Sequence, residues 1–72
     1  MPVDPIVMDH LGDLYWAVGR QLEAKFQWRR ALSFDPEPKD ATRIREKLRV
    51  GLDRVLVSEG SKPTSELYAN DN

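Results

Sequence analysis

The chain has 72 residues, of which 40% are hydrophobic and 32% are charged, and its formal net charge is −1. A chain of this length forms at most one small domain, and it contains no cysteine for a disulfide or a thiolate zinc site. The balanced charge argues against nucleic-acid binding, which usually needs a basic face, and no apolar stretch is long enough for membrane insertion.

The first predicted helix spans residues 5–18. Asp4 can cap its free N–H groups, and Pro5 suits the first helical position, where no N–H donor is needed. At 100° per residue, one wide apolar arc contains Val7, Met8, Leu11, Leu14, Tyr15 and Val18. A second face contains Ile6, Asp9, Asp13, Trp16 and Ala17. Gly19 is placed to end the helix in a left-handed conformation.

The second predicted helix spans residues 21–34. Ala24, Trp28 and Ala31 are four and three residues apart, so they share one helical face. The segment Asp-Pro-Glu-Pro at 35–38 follows, and its prolines stop the helix because they cannot continue the hydrogen-bond ladder.

The third predicted helix spans residues 39–58 and is amphipathic. Its apolar arc contains Ala41, Ile44, Leu48, Gly51, Leu52 and Val55. Its basic residues include Arg43, Arg45, Lys47 and Arg49. We interpret these basic residues as a solvated face rather than a site for an acidic partner or anionic lipid. Residues 59–72 are polar and predict a disordered tail, which leaves an all-α domain over residues 1–58.

Several small or apolar residues lie at offsets that are typical of a known repeat. They are Leu11, Gly12, Tyr15, Ala24, Trp28, Ala31 and Pro36. This part of the chain, residues 5–38, resembles one tetratricopeptide repeat, a helix–turn–helix unit of 34 residues. The resemblance implies right-handed stacking of three helices. It also implies that the second helix approaches Gly12 closely, with the indole of Trp28 beside it.

No second repeat follows, and the third helix is similar to the solvating helix that commonly follows the last repeat in this family. The chain therefore resembles the C-terminal end of a larger bacterial tetratricopeptide protein. The resemblance implies that Val7 and Leu14, on the outer side of the first helix, would normally meet a preceding repeat. We expect this face to be exposed or to be used in self-association, which would make the chain a homo-oligomer.

The resemblance implies a module for protein–protein interaction or scaffolding. In the family, the concave surface of the first helix contacts ligands, and the matching residues here are Ile6, Asp9, Asp13, Trp16 and Ala17. Two acids and an indole suit a protein or peptide partner with basic and apolar groups, and they do not form a carboxylate clamp. The alternative is that Trp16 packs on the third helix and both acids are solvated. The chain would then be a structural end-cap or oligomerisation piece without a ligand of its own.

Catalytic chemistry finds little support in the sequence. His10 with Asp9 and Asp13 is too small a set for a defined zinc site, and no phosphate loop or nucleophile motif is present. We expect no enzyme activity, no metal and no cofactor. The N-terminal residues lack the features of a secretory signal, which favours a cytoplasmic location for the chain as given. A periplasmic location stays open if the chain ends a secreted parent.

Overall fold

The computed structural model describes residues 4–67, and all the regular structure in that range is helical. The helices are α1 (Pro5–Ala17), α2 (Gln21–Ser33), α3 (Pro38–Val50), α4 (Leu52–Ser58) and α5 (Thr64–Leu67). The predicted all-α fold is therefore confirmed for this range, while residues 1–3 and 68–72 lie outside it. Among the described helices, every one is too short or too polar to cross a membrane.

The two ends of α1 follow the chemistry that the sequence predicts. The Asp4 carboxylate accepts a hydrogen bond from the Ile6 N–H at 2.9 Å and so caps the first turn. Gly19 has a φ of 86°, which an L side chain rarely tolerates. The Arg20 N–H then donates to the Tyr15 carbonyl at 2.8 Å and closes the C-terminal turn. The chain thereby reverses, and α2 returns antiparallel beside α1.

The contact between α1 and α2 depends on a glycine facing an indole. A Cβ atom built on Gly12 would lie 2.5 Å from Trp28 Cδ1 and 3.1 Å from the Ala24 carbonyl oxygen. Ala24, Trp28 and Ala31 are fully buried on the facing side of α2. The predicted position of Trp28 beside Gly12 is thus confirmed, because only a residue without a side chain leaves room for the indole.

The core is assembled from all four longer helices. Its buried members are Met8, Ala24, Trp28, Ala31, Ile44 and Leu52. Tyr15, Trp16, Leu32, Leu48 and Leu56 pack against this group and are partly buried. Since α1 and α2 contribute only two large apolar side chains to the buried core, Met8 and Trp28, the helices that follow are needed to enclose the hairpin.

The single helix predicted over residues 39–58 is wrong, because the chain breaks at Gly51 between α3 and α4. Gly51 has a φ of 90° and a ψ of 156°, which no α-helix accommodates. A Cβ atom built there would lie 2.8 Å from Trp16 Cζ2 and Cη2. The indole of Trp16 therefore packs directly on the backbone at the junction, and α4 leaves it in a new direction.

The disordered tail predicted over residues 59–72 is also wrong for its described part, residues 59–67. Thr64 is buried at the start of α5, and its N–H and hydroxyl both donate to Asp53 Oδ1, at 2.8 and 2.6 Å. The short α5 packs against α1. The prediction was based on the polar composition of this segment. In the structure, the polar groups of Thr64 donate to Asp53 instead of to water. Residues 68–72 of the predicted tail lie outside the described residues.

Gly12→Ala should reverse the usual effect of this substitution. In an exposed helix, replacing glycine by alanine stabilises by about 1 kcal/mol. Here the added methyl group meets the indole of Trp28, so we expect a loss of about 1–3 kcal/mol in the free energy of unfolding. Urea denaturation followed by circular dichroism measures the change. His10→Ala, at an exposed position of the same helix, is the control, and a stabilised Gly12→Ala variant would contradict the packing described here.

Candidate functional site

The most unusual feature of the interior is a fully buried lysine. Lys47 of α3 has no exposed surface, and its Nζ lies 2.7 Å from Asp9 Oδ1 and 3.0 Å from Asp13 Oδ1. A second Asp13 oxygen lies 3.1 Å away. Lys47 was interpreted from the sequence as part of a solvated basic face. That interpretation is wrong, because two carboxylates of α1 compensate the ammonium and allow it to leave water.

Trp28 completes the polar cluster from the side of α2. Its Nε1–H donates to the Asp9 carbonyl oxygen at 3.2 Å and to Asp13 Oδ1 at 3.1 Å. The Lys47 Nζ lies 6.0 Å from the centre of the Trp28 ring system, at the outer limit of a cation–π contact. One cluster of Lys47, Asp9, Asp13 and Trp28 thus joins α1, α2 and α3, and we call it the ion cluster.

The ion cluster has more negative than positive charge. Two carboxylates face one ammonium, so its formal charge is −1 when every group is ionised. Burial raises the pKa of Asp13, attraction to Lys47 opposes the rise, and the Asp9 carboxylate adds to it. Arg43 on the same helix as Lys47 gives some compensation. Its pKa is raised by the hydrogen bond to Glu59 and, in addition, by both aspartates.

A second polar contact joins α4 to α5 through Asp53 and Thr64. Burial alone would raise the pKa of Asp53, but hydrogen bonds from Thr64 and from the side chain of Trp16 outweigh it and lower that pKa. The Trp16 ring also lies 5.6 Å from the Trp28 ring, centre to centre, at an interplanar angle of 31°. Trp16 therefore packs between the Trp28 ring and the backbone at Gly51.

The five residues predicted to contact a partner fall in very different environments. Asp9 is buried in the ion cluster, and Asp13 belongs to the same cluster with a partly buried carboxylate. Trp16 is half-buried against Gly51, as the alternative interpretation predicted. Ala17 is half-buried, and Ile6 is exposed. The expectation of one open face is therefore wrong for Asp9, Asp13 and Trp16, because α3 and α4 cover them. The expectation that both acids are solvated is wrong for the same reason.

The two residues predicted for self-association are exposed. Val7 is 62% exposed and Leu14 is 54% exposed, and two further residues continue their row, Leu11 of α1 at 38% and the C-cap residue Val18 at 70%. We call these four residues the open stripe. The sequence analysis placed all four on one arc but assigned only Val7 and Leu14 to an interface. Their regular spacing of four, three and four residues was the signal for the complete set.

The open stripe and the ion cluster lie on opposite sides of α1. Gly12 faces α2, so Leu11, one residue earlier, turns about 100° to one side, and Asp13, one residue later, turns about 100° to the other. Asp13 points to α3, where it meets Lys47. Leu11 and its row consequently point away from α3. One side of the hairpin is closed by the chain, and the other side is apolar and uncovered within residues 4–67.

Lys47 is the site residue that sequence reasoning missed. The signal was present in its position, because Lys47 follows Ile44 by three residues and precedes Gly51 by four, and so lies on the apolar arc of α3. A lysine at such a position needs a buried anion, and Asp9 and Asp13 are a pair of acids one helical turn apart. The sequence could not show that these two helices meet.

The carboxylates of the ion cluster already have a cation as their neighbour. The Lys47 ammonium donates hydrogen bonds to Asp9 Oδ1 and to Asp13 Oδ1. His10, the remaining member of the set considered from the sequence, is exposed. No group of three or more potential metal ligands forms among the described residues. The geometry of the cluster is that of a structural ion pair.

Comparison with known proteins adds no relative. The chain matches no protein-family model, no curated protein and no solved structure. The resemblance to a tetratricopeptide repeat therefore depends on the residues of this chain alone, such as Gly12 and Trp28. The function is likewise inferred from the geometry of this chain.

Lys47→Met should destabilise the fold strongly. The methionine retains an apolar stem but leaves the Asp9 and Asp13 carboxylates buried without their cation, which typically costs about 3–5 kcal/mol. Urea denaturation at neutral pH measures the loss, and lowering the pH should reduce it as the Asp13 carboxylate, whose pKa is raised, becomes protonated. Lys39→Met, at an exposed position of α3, is the matched control. Equal stability of the two variants would show that the ion cluster contributes nothing.

The variant Asp13→Asn tests whether the pKa of the Asp13 carboxyl is raised in the folded chain. The folded chain binds the Asp13 proton more tightly than the unfolded chain, so this residue lowers the free energy of unfolding as pH rises from its ordinary pKa of 3.8 to its folded-state pKa. The variant lacks this ionisation. The difference in unfolding free energy, variant minus wild type, should therefore increase between about pH 4 and about pH 7. Urea titrations at both pH values measure it, and a difference that decreases would contradict the raised pKa.

Proposed function

We propose that this chain is a protein-interaction module of tetratricopeptide type, with α1 and α2 as the repeat hairpin and α3 and α4 as a solvating cap. In this proposal the open stripe contacts the partner. The observation that carries it is the asymmetry of α1: Asp9 and Asp13 are bound to Lys47 on one side, while Val7 and Leu14 are exposed on the other.

The hairpin contact supports the tetratricopeptide part of the proposal. Gly12 and Ala24 allow the two helices to approach, and the indole of Trp28 occupies the gap. Small residues at these positions are what the repeat pattern requires. The predicted right-handed stacking of successive helices belongs to the same proposal, with α3 following α2 as the next helix in the row.

The chemistry of the open stripe indicates the kind of partner. It consists of four aliphatic side chains without a charge among them, so an apolar helix face complements it better than a basic peptide does. Fully burying one such side chain contributes about 1.5–3 kcal/mol. These side chains are already part-buried in the free chain, so the gain per residue is smaller. A helical hairpin with apolar residues at three- and four-residue spacing is the proposed occupant.

A second candidate function is that of an end-cap in a larger protein. The side of the hairpin that faces α3 is occupied by α3 itself and by the ion cluster. The outer face of α3 carries the exposed residues Lys39, Thr42, Arg45 and Arg49. A helix that is apolar inward and charged outward ends a row of stacked helices in contact with water. The two candidates share the open stripe and differ in whether the partner is on the same chain.

Fusion to a defined helical array tests both candidates. Two consensus tetratricopeptide hairpins placed before Met1 of the full chain would offer an apolar helix pair to the open stripe. We expect one cooperative thermal transition, together with slower amide exchange in α1 than in the chain alone, since stacked repeats stabilise their neighbours.

Leu14→Asp in the fusion should separate the transition into two, while Leu22→Asp should not. Leu22 is 81% exposed on α2 and is not part of the open stripe. If the fusion unfolds in two independent steps and α1 exchanges as in the free chain, the proposed function is wrong. A cooperative fusion that Leu14→Asp leaves unchanged would place the contact elsewhere.

A further inference from the structure

The open stripe has an internal symmetry that the proposed function does not use. Its residues are Val7, Leu11, Leu14 and Val18, so the spacing is four, three and four, with a valine at each end and leucines between. The order of residues and the spacing are the same from either end. The midpoint lies at the level of the Gly12–Asp13 peptide bond.

A stripe with this symmetry is complementary to itself in the antiparallel direction. If a second copy lies along α1 with opposite polarity, Val7 meets Val18 of the second copy and Leu11 meets Leu14 of the second copy. Alternation of three and four residues is also the spacing by which side chains of two helices interdigitate along a seam. Every apolar residue of one stripe then faces an apolar residue of the other.

The charges at the ends of α1 favour the same polarity. Asp4 is exposed at the N-terminal end, and Arg20, whose guanidinium lies 3.0 Å from Glu23 Oε2, is exposed just after the C-terminal end. Antiparallel copies bring each Asp4 to the Arg20 end of the other, whereas parallel copies bring like charges together. The helix dipoles are also aligned favourably only in the antiparallel arrangement.

The area of the open stripe determines how tightly two copies are expected to associate. A standard interface covers about 800 Å² on each partner, which would be about a sixth of the 5061 Å² that the chain exposes. The 13 residues of α1 give a seam of only about 20 Å, so the contact lies below that standard. A dissociation constant in the micromolar range is therefore expected.

We propose that the open stripe is a homodimer interface, in which two copies pair through antiparallel α1 helices about a two-fold axis at the level of Gly12 and Asp13. The proposal rests on the proposed function in one respect, since it names the occupant of the same surface. Closed two-fold pairing uses the stripe completely and prevents further association.

Sedimentation equilibrium of the full chain tests the dimer. Between about 5 and about 500 μM, the range that brackets a micromolar constant, the average mass should rise from that of a monomer to that of a dimer and no further. Leu14→Asp should weaken association by at least about tenfold without changing the helical circular dichroism, because it places a charge in the seam. Leu22→Asp, outside the stripe, should associate as wild type does.

Disulfide trapping tests the polarity, since the chain has no cysteine of its own. An oxidised mixture of Val7→Cys and Val18→Cys chains should give the mixed dimer faster than either variant gives its own. In the antiparallel pair, the two Val7 positions are about 16 Å apart, too far for a disulfide. Faster self-linking of Val7→Cys would overturn the antiparallel arrangement.

Two further outcomes would contradict the homodimer. A chain that stays monomeric at the highest concentration, or a Leu22→Asp variant that weakens association as much as Leu14→Asp, overturns the homodimer. Cooperative unfolding of the fusion with consensus hairpins would in that case still support the proposed function, so the two failures are distinguishable. If both experiments fail, the open stripe has neither role.

Discussion

The Lys47 ammonium, held between the carboxylates of Asp9 and Asp13, is the interaction on which the rest of the fold depends. It is the polar link between α1 and α3, helices that are far apart in the sequence, and Trp28 joins it from α2. The aliphatic stem of Lys47 adds apolar contact to a core with few large side chains, while the charge is compensated internally. A buried cluster of this kind favours one arrangement of the three helices, because any other arrangement leaves charges unpaired.

The ion cluster also determines which surface of the chain can bind a partner. A carboxylate that is bound to Lys47 cannot bind a basic peptide, so the face that periodicity suggested for a ligand is used for folding instead. The open stripe, from Val7 to Val18, stays exposed within the described residues. The proposed protein contact and the proposed homodimer both follow from this division, since burial of aliphatic surface is the main favourable term that the chain still has available.

Because the domain is small, association through the open stripe affects its stability. A domain of about 60–70 residues buries only about 60% of the surface of its unfolded chain, so its stability is small. Association that occurs only in the folded state adds to that stability by mass action. The two glycine positions, Gly12 beside Trp28 and Gly51 beside Trp16, show that the interior already uses close backbone approach. Association through the open stripe would add stability from outside the hairpin.

The sequence alone determined the helical hairpin. The capped start of α1 and the turn at Gly19 follow from local capping and turn chemistry, and the prolines at 35–38 mark the end of α2. The contact of Gly12 with Trp28 was implied by the resemblance to a tetratricopeptide repeat. Only the tertiary structure decided the burial of Lys47, the break at Gly51 and the attachment of Thr64 to Asp53. Lys47 lies 38 residues from Asp9, and a pattern within one helix holds no information about which distant helix will face it. The solvent exposure of a charged side chain is a property of the assembled helices, because it depends on the partner that replaces water.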